Sequence, residues 1–114
     1  MHIDYYAYGT MTVDGKVYSK DLIIFPEKII ADWRRKDGHS LRTEDLKEVF
    51  EYEPDFLIVG KGDSGVMCVL DEVKKTAKDK IIELMDKNTH EAVKIFNDLV
   101  QKNKKVVGIF HLTC

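Results

Sequence analysis

"LIVGKGDSG", residues 57–65, is the stretch on which the reading of this chain turns. An apolar, partly β-branched run ends in Gly60-x-Gly62-x-x-Gly65. A short apolar run stopped by glycine reads as a strand buried on both faces. Beyond it the chain alternates between helix and strand signals. Residues 66–80 contain a helix with two candidate starts. Val66, Val69, Leu70, Val73 and Ala77 fit helical spacing from the glycines onward, whereas Asp71-Glu72 is the better cap and begins it later. "IIELM" is the next strand. Asn88 or Thr89 caps a helix to about Lys102, with Ala92, Val93, Phe96, Leu99 and Val100 on one face. "KVVGIFHLT" is the last strand. Its near-continuous apolar run predicts a central position with His111 buried and hydrogen-bonded, and Gly108 predicts a close approach by a neighbouring element.

The C-terminal half is therefore β-α-β-α-β, which implies parallel strands joined by right-handed crossovers. The N-terminal third reads as antiparallel hairpins. "TMTVDGKVY" places Asp14-Gly15 between two alternating runs, and "DLIIF" and "IIADW" flank Pro26-Glu27-Lys28. "RRKDGHS" is a polar connection. Thr43 then caps a helix to about Tyr52, striped by Leu46, Val49 and Phe50 and ended by Pro54. The expected architecture is a single α/β domain over residues 1–114.

The 114 residues are 44% hydrophobic and 33% charged, with a net charge of −2, an ordinary balance for a globular chain. The slight acidity argues against a general nucleic-acid or membrane-surface binder. No apolar run is long enough for a membrane helix. The start, "MHIDYYAYG", has neither a basic nor an apolar leader segment, which predicts a cytoplasmic protein. Cys68 and Cys114 are expected to be reduced thiols there.

Four candidate chemistries follow from the motifs. The glycine spacing of Gly60, Gly62 and Gly65 matches a dinucleotide loop, but a helix beginning at Asp71 starts six residues late, and the acidic candidate Asp86 lies 26 residues past Gly60. No cofactor is expected. Gly-Asp-Ser-Gly brings Ser64 to the sheet edge where His111 also lies, yet no acid is evidently placed to orient the imidazole. His111 and Cys114 are three apart, and a strand would point them to opposite faces, so no metal site is expected. The strongest candidate surface is Trp33-Arg34-Arg35 with His39, where guanidinium forks suit a carboxylate or phosphate. Trp33 is expected to anchor the loop in the core while Arg34 or Arg35 stays free.

With these segments in view the chain resembles a family of small α/β domains. That family includes the vertebrate adipogenesis-associated domain-containing protein, mitochondrial complex I assembly factor 3, and uncharacterised bacterial and archaeal proteins. The likeness rests on Tyr8-Gly9, Gly15 with Tyr18, and Asp21 before an apolar strand. It continues through Trp33-Arg34-Arg35 with Gly38-His39, Gly60-x-Gly62, Ala92 with Asn97, and His111-x-Thr113-Cys114. Lys61 stands where the family commonly has a small hydroxyl residue, and Asn88-Thr89 where it commonly has Pro-Thr. The resemblance implies a three-layer domain with a mixed central sheet, which allows one of the strands read as parallel to run the other way. It brings no established catalytic activity. Assembly factor 3 acts through protein partners, and its presequence has no counterpart here, so complex I assembly itself is not carried over.

The resulting expectation is a cytosolic binding or assembly module, without catalysis, that acts through a protein partner. The alternative is a small-anion binder or an enzyme that uses the Gly60–Gly65 loop, Arg34 and Arg35, and His111.

Overall fold

The computed structural model describes all residues, 1–114. Three strands open the chain: β1 (Ile3–Ala7), β2 (Thr10–Val13) and β3 (Lys16–Tyr18), which form their own antiparallel sheet. Asp14-Gly15 makes the predicted two-residue turn, with Val13 opposite Lys16. β1 is an addition to the sequence reading. Its apolar–polar alternation is broken by a register shift between Ile3 and Tyr5, which hides the strand signal.

The second hairpin is also present, as β4 (Leu22–Ile24) and β5 (Ile29–Ile30), with the Phe25 amide donating to the Lys28 carbonyl at 2.8 Å. Next come β6 (Ser40–Leu41), a 3₁₀ turn over Thr43–Leu46 and α1 (Lys47–Tyr52). Thr43 does not cap this segment. Asp45 does, since its carboxylate accepts the Arg42 amide at 2.9 Å and the Lys36 amide at 3.0 Å. Leu46, Val49 and Phe50 are buried as the stripe predicts.

The C-terminal half contains β7 (Phe56–Lys61), β8 (Cys68–Val69), α2 (Asp71–Asp79), β9 (Glu83–Lys87), α3 (Thr89–Gln101) and β10 (Val106–His111). Of the two helix starts, the later is realised, because Cys68 and Val69 pair with Ser40 and Leu41 instead of winding. Asn88 is the cap of α3, its side chain accepting the Glu91 amide at 3.0 Å. β9 begins two residues later than "IIELM" suggests. Ile81 takes a left-handed φ of 59° to turn the chain out of α2.

The central sheet has the order β5-β4-β10-β7-β9. β10, β7 and β9 are mutually parallel, and β4 and β5 supply the antiparallel part. One core layer lies between this sheet and α1–α2, with Val107, Ile109, Leu57 and Val73 among its members. The other lies between the sheet and α3 with the N-terminal sheet, and includes Ile3, Met11, Ile58, Phe96 and Phe110. The result is a three-layer α/β domain. β10 is central and every one of its residues is buried. Gly108 is what lets α3 sit so close: a Cβ there would lie 2.5 Å from Phe110 and 2.7 Å from Phe96. No helix is long and apolar enough to cross a membrane.

Candidate functional site

Pairing of β4 with β10 sets Leu22 opposite Phe110. The next pair outward is Asp21 opposite His111, at the end of the sheet where both strands run out. His111 Nδ1 lies 2.7 Å from Asp21 Oδ2. Asp21 Oδ1 accepts the Leu112 amide at 2.9 Å. The Trp33 amide donates to the Asp21 carbonyl at 2.8 Å, which draws the arginine loop back over this end of the sheet. Arg35 thereby delivers Nη1 to Asp21 Oδ2 at 2.7 Å and Nη2 to the Gly38 carbonyl at 2.8 Å. Its guanidinium also stacks over the Trp33 ring, 5.1 Å from the centroid. Side-chain exposure is only 5% for Arg35, 10% for His111 and 16% for Asp21, so this is a buried charge cluster.

Burial works to raise the Asp21 pKa, but the hydrogen bonds from His111, Arg35 and the Leu112 amide outweigh it, and the carboxyl stays below its ordinary value. An ionised carboxylate only accepts, so His111 carries a proton on Nδ1. In the neutral ring Nε2 is then the basic nitrogen, and it makes no hydrogen bond within the chain. His111 lines a shallow cleft of about 440 Å³, together with Lys20, Asp32, Trp33, Arg34 and Thr113. This gives an oriented imidazole beside two cationic side chains, an arrangement suited to holding a small anion or moving a proton.

The acid that the sequence reading could not find for His111 is thus Asp21. The expectation of a free guanidinium holds for Arg34, which is 82% exposed and pairs loosely with Asp32 at 3.6 Å. Arg35 is the one of the pair that the Asp21 carboxylate locks inside. Trp33 anchors the loop as expected, with Nε1 donating to the Asp45 carbonyl at 3.3 Å. His39 is exposed and lies apart from the cluster, its carbonyl accepting the Cys68 amide at 2.8 Å.

The glycine loop is occupied by the chain's own tail. The Gly62 amide donates to Thr89 Oγ1 at 3.0 Å, and that hydroxyl donates to the His111 carbonyl at 2.7 Å. The Asp63 amide donates to the Thr113 carbonyl at 2.6 Å and the Val66 amide to the Cys114 carbonyl at 3.4 Å. The Gly65 amide folds back onto the Gly62 carbonyl at 3.1 Å. These amides are the groups that a pyrophosphate would need. Gly60 packs beneath Thr89. Ser64 is exposed and makes no hydrogen bond to His111. Cys68 and Cys114 are free, exposed thiols, and Cys114 does not join His111 in a metal cluster.

A second polar cluster lies beside the first and was not legible in the sequence. Asp63 accepts from His90 Nε2 at 2.7 Å and faces the Tyr6 hydroxyl at 3.4 Å, while that hydroxyl donates to the Leu112 carbonyl at 2.9 Å. Burial first, and then the Asp63 charge, push the Tyr6 pKa up to about 12. For the first cluster the one available signal was Asp21 itself, an acidic residue directly before an apolar strand. Its partner is 90 positions away, and only the β4–β10 register reveals it.

Comparison with known proteins places the fold. A conserved hypothetical protein from Pyrococcus horikoshii OT3 is 31% identical, with 100% of each chain covered and a TM-score of 0.84. An outer membrane protein from Bartonella henselae is 22% identical over 98% of this chain and 94% of its own, with a TM-score of 0.83, which speaks to the fold alone. The same holds for a Mth938-like domain from Bordetella pertussis, 14% identical over 97% of this chain and 85% of its own, with a TM-score of 0.78. The family model described as a protein of unknown function (DUF498/DUF598) matches residues 3–111, and the chain belongs to that family.

Proposed function

We propose that this protein is a non-catalytic binding module of the cytosol that acts through a protein partner. The observation that carries the reading is the outer face of the N-terminal sheet. The register places Tyr5, Thr12 and Val17 in one row across β1, β2 and β3. Tyr5 is 58% and Val17 64% exposed, and Tyr8 beyond the strand end is 62% exposed. An aromatic and β-branched row without charge is the kind of surface that a partner desolvates at little cost in side-chain entropy. The resemblance to assembly factors that work through protein partners supports the same reading, with no claim on complex I itself. The exposed free thiols Cys68 and Cys114 suit a reducing compartment.

The test is affinity capture by the tagged wild-type chain and by Tyr5→Ser/Val17→Ser. The wild type should retain a partner in near-stoichiometric amount, and the double variant should lose it about tenfold or more at an unchanged melting temperature. Equal capture by both chains would refute the proposal.

One observation favours a second reading, a small-anion binder or an enzyme acting on an anion. It is the Asp21-oriented His111 in the cleft with Lys20 and Arg34. Titrating inorganic phosphate and acetate while following the His111 and Thr113 resonances decides it. Saturable shifts that Lys20→Met/Arg34→Met weakens about tenfold would support this reading. Linear, unsaturated shifts would dismiss it.

A further inference from the structure

The central sheet ends on one side in β5, two residues long, and on the other in β9, five residues long. Natural edge strands are usually blunted by shortness, proline, a bulge or repelling charge. β9 has no proline, and its pairing with β7 runs without a bulge from Phe56–Glu83 to Gly60–Lys87. The Glu83 amide donates inward to the Asp55 carbonyl at 3.0 Å. Alternation along a parallel ladder then turns Glu83, Met85 and Lys87 toward β7 and leaves the amides and carbonyls of Leu84 and Asp86 facing outward.

The charges on this edge do not simply repel a second strand. The segment reads Glu83-Leu84-Met85-Asp86-Lys87. We propose that β9 pairs antiparallel with β9 of a second copy of this chain about a two-fold axis at Met85, continuing the five-stranded sheet into one of ten. This register sets Leu84 opposite the partner's Asp86, and these outward-facing residues exchange both ladder hydrogen bonds. Glu83 then lies opposite the partner's Lys87, and Lys87 opposite the partner's Glu83, on the same face as the two methionines at the axis. Opposite charges directly across a ladder stabilise it and like charges destabilise it. Centring the axis on Asp86 would set two carboxylates face to face, and centring it on Leu84 would put Glu83 opposite a methionine, so of these three registers only Met85 pairs opposite charges.

The flanking surface matches this arrangement. A groove of about 360 Å³ beside β9 is lined by Lys74, Ala77, Lys78, Ile82, Leu84 and Asp86. The partner's Asp86, opposite Leu84, comes to the face that carries Lys74 and Lys78. Ile81, immediately before the strand, is 89% exposed and held at a φ of 59°, an uncommon conformation for a β-branched residue. The interface is independent of the Tyr5–Val17 face, so either proposal can fail alone.

Sedimentation velocity over a micromolar-to-millimolar series tests it with charge reversal. The wild-type chain should associate to a dimer, more weakly as salt rises. Glu83→Lys and Lys87→Glu each set like charges across both symmetric pairs, and each should weaken association about tenfold or more. Both side chains are exposed, so melting temperatures should not change. An equimolar mixture of the two variants restores opposite charges in a heterodimer, as does the double variant Glu83→Lys/Lys87→Glu with itself, and both should regain wild-type association. A wild type that stays monomeric throughout would overturn the proposal. So would a dimer indifferent to both reversals.

Discussion

Asp21→Ala should destabilise the domain by about 3–5 kcal/mol, a loss large enough to unfold much of the population near physiological temperature. The carboxylate is the one group that joins His111, Arg35 and the Leu112 amide. Arg35 is almost fully buried, and its Nε has no partner even in the intact cluster. Without Asp21 its charge would remain inside the protein with no counter-ion, held by the Gly38 carbonyl, the Trp33 ring and the neighbouring His111 Nδ1 at 3.3 Å. Breaking a buried pair from one side is costly for that reason, whereas replacing both sides with apolar groups is often nearly neutral. Asp21→Leu/Arg35→Met should therefore recover the part of the loss that comes from the stranded guanidinium, but not the part from the His111 Nδ1–H and the Leu112 amide, which stay unpaired, as read by urea unfolding. If Asp21→Ala melts within about 2 °C of the wild type, the cluster does not hold the fold.

The same carboxylate gives acid sensitivity with a definite sign. Asp21 has a folded pKa below its unfolded value of 3.8. Its contribution is thus fully present above that value and is lost as the pH falls through the lower, folded pKa. A urea midpoint that declines as the pH drops below about 4 in the wild type, with a shallower decline in Asp21→Leu/Arg35→Met, is the expected profile.

Gly62→Ala should cost about 2–5 kcal/mol, from two sources that can be separated. Gly62 has a φ of +103°, which side chains rarely adopt. A Cβ there would also lie 2.5 Å from the Cys114 carbonyl oxygen and 2.8 Å from His111 Cδ2. The first obstacle is backbone and cannot rotate away, so residues 112–114 must lift off the glycine loop. Gly9→Ala is the control, since Gly9 has a φ of +79° but open space where its Cβ would go. Gly62→Ala should lose more stability than Gly9→Ala, and amide exchange should quicken at Asp63 and Val66, which donate to Thr113 and Cys114. Equal losses in the two variants, with those amides still protected, would mean that the tail does not depend on the contact.

The resemblance read from scattered motifs pointed to a small family without established chemistry. The DUF498/DUF598 family model matches residues 3–111, and the likeness to an assembly factor enters the proposed function only through its dependence on a protein partner.

What the sequence determined by itself is the set of elements whose signals are local. The apolar runs of β7 and β10, the face of α3 with its cap at Asn88 or Thr89, and the Asp14-Gly15 and Pro26 turns all depend on residues within a few positions of one another. So does the central place of β10, since a run apolar on both sides has to be covered on both sides. Tertiary structure alone decided the rest. β8 exists because Cys68 and Val69 find Ser40 and Leu41 across the fold. Arg35 is buried because Asp21 accepts it, and Asp21 meets His111 because two strands 90 positions apart fall into one antiparallel register. The glycine loop keeps the spacing of a phosphate cradle, but its amides belong to Thr89 and to the carbonyls of residues 62, 113 and 114. A spacing pattern records where the glycines are. Which acceptor reaches their amides is set by long-range packing, and that information lies outside any window of the sequence.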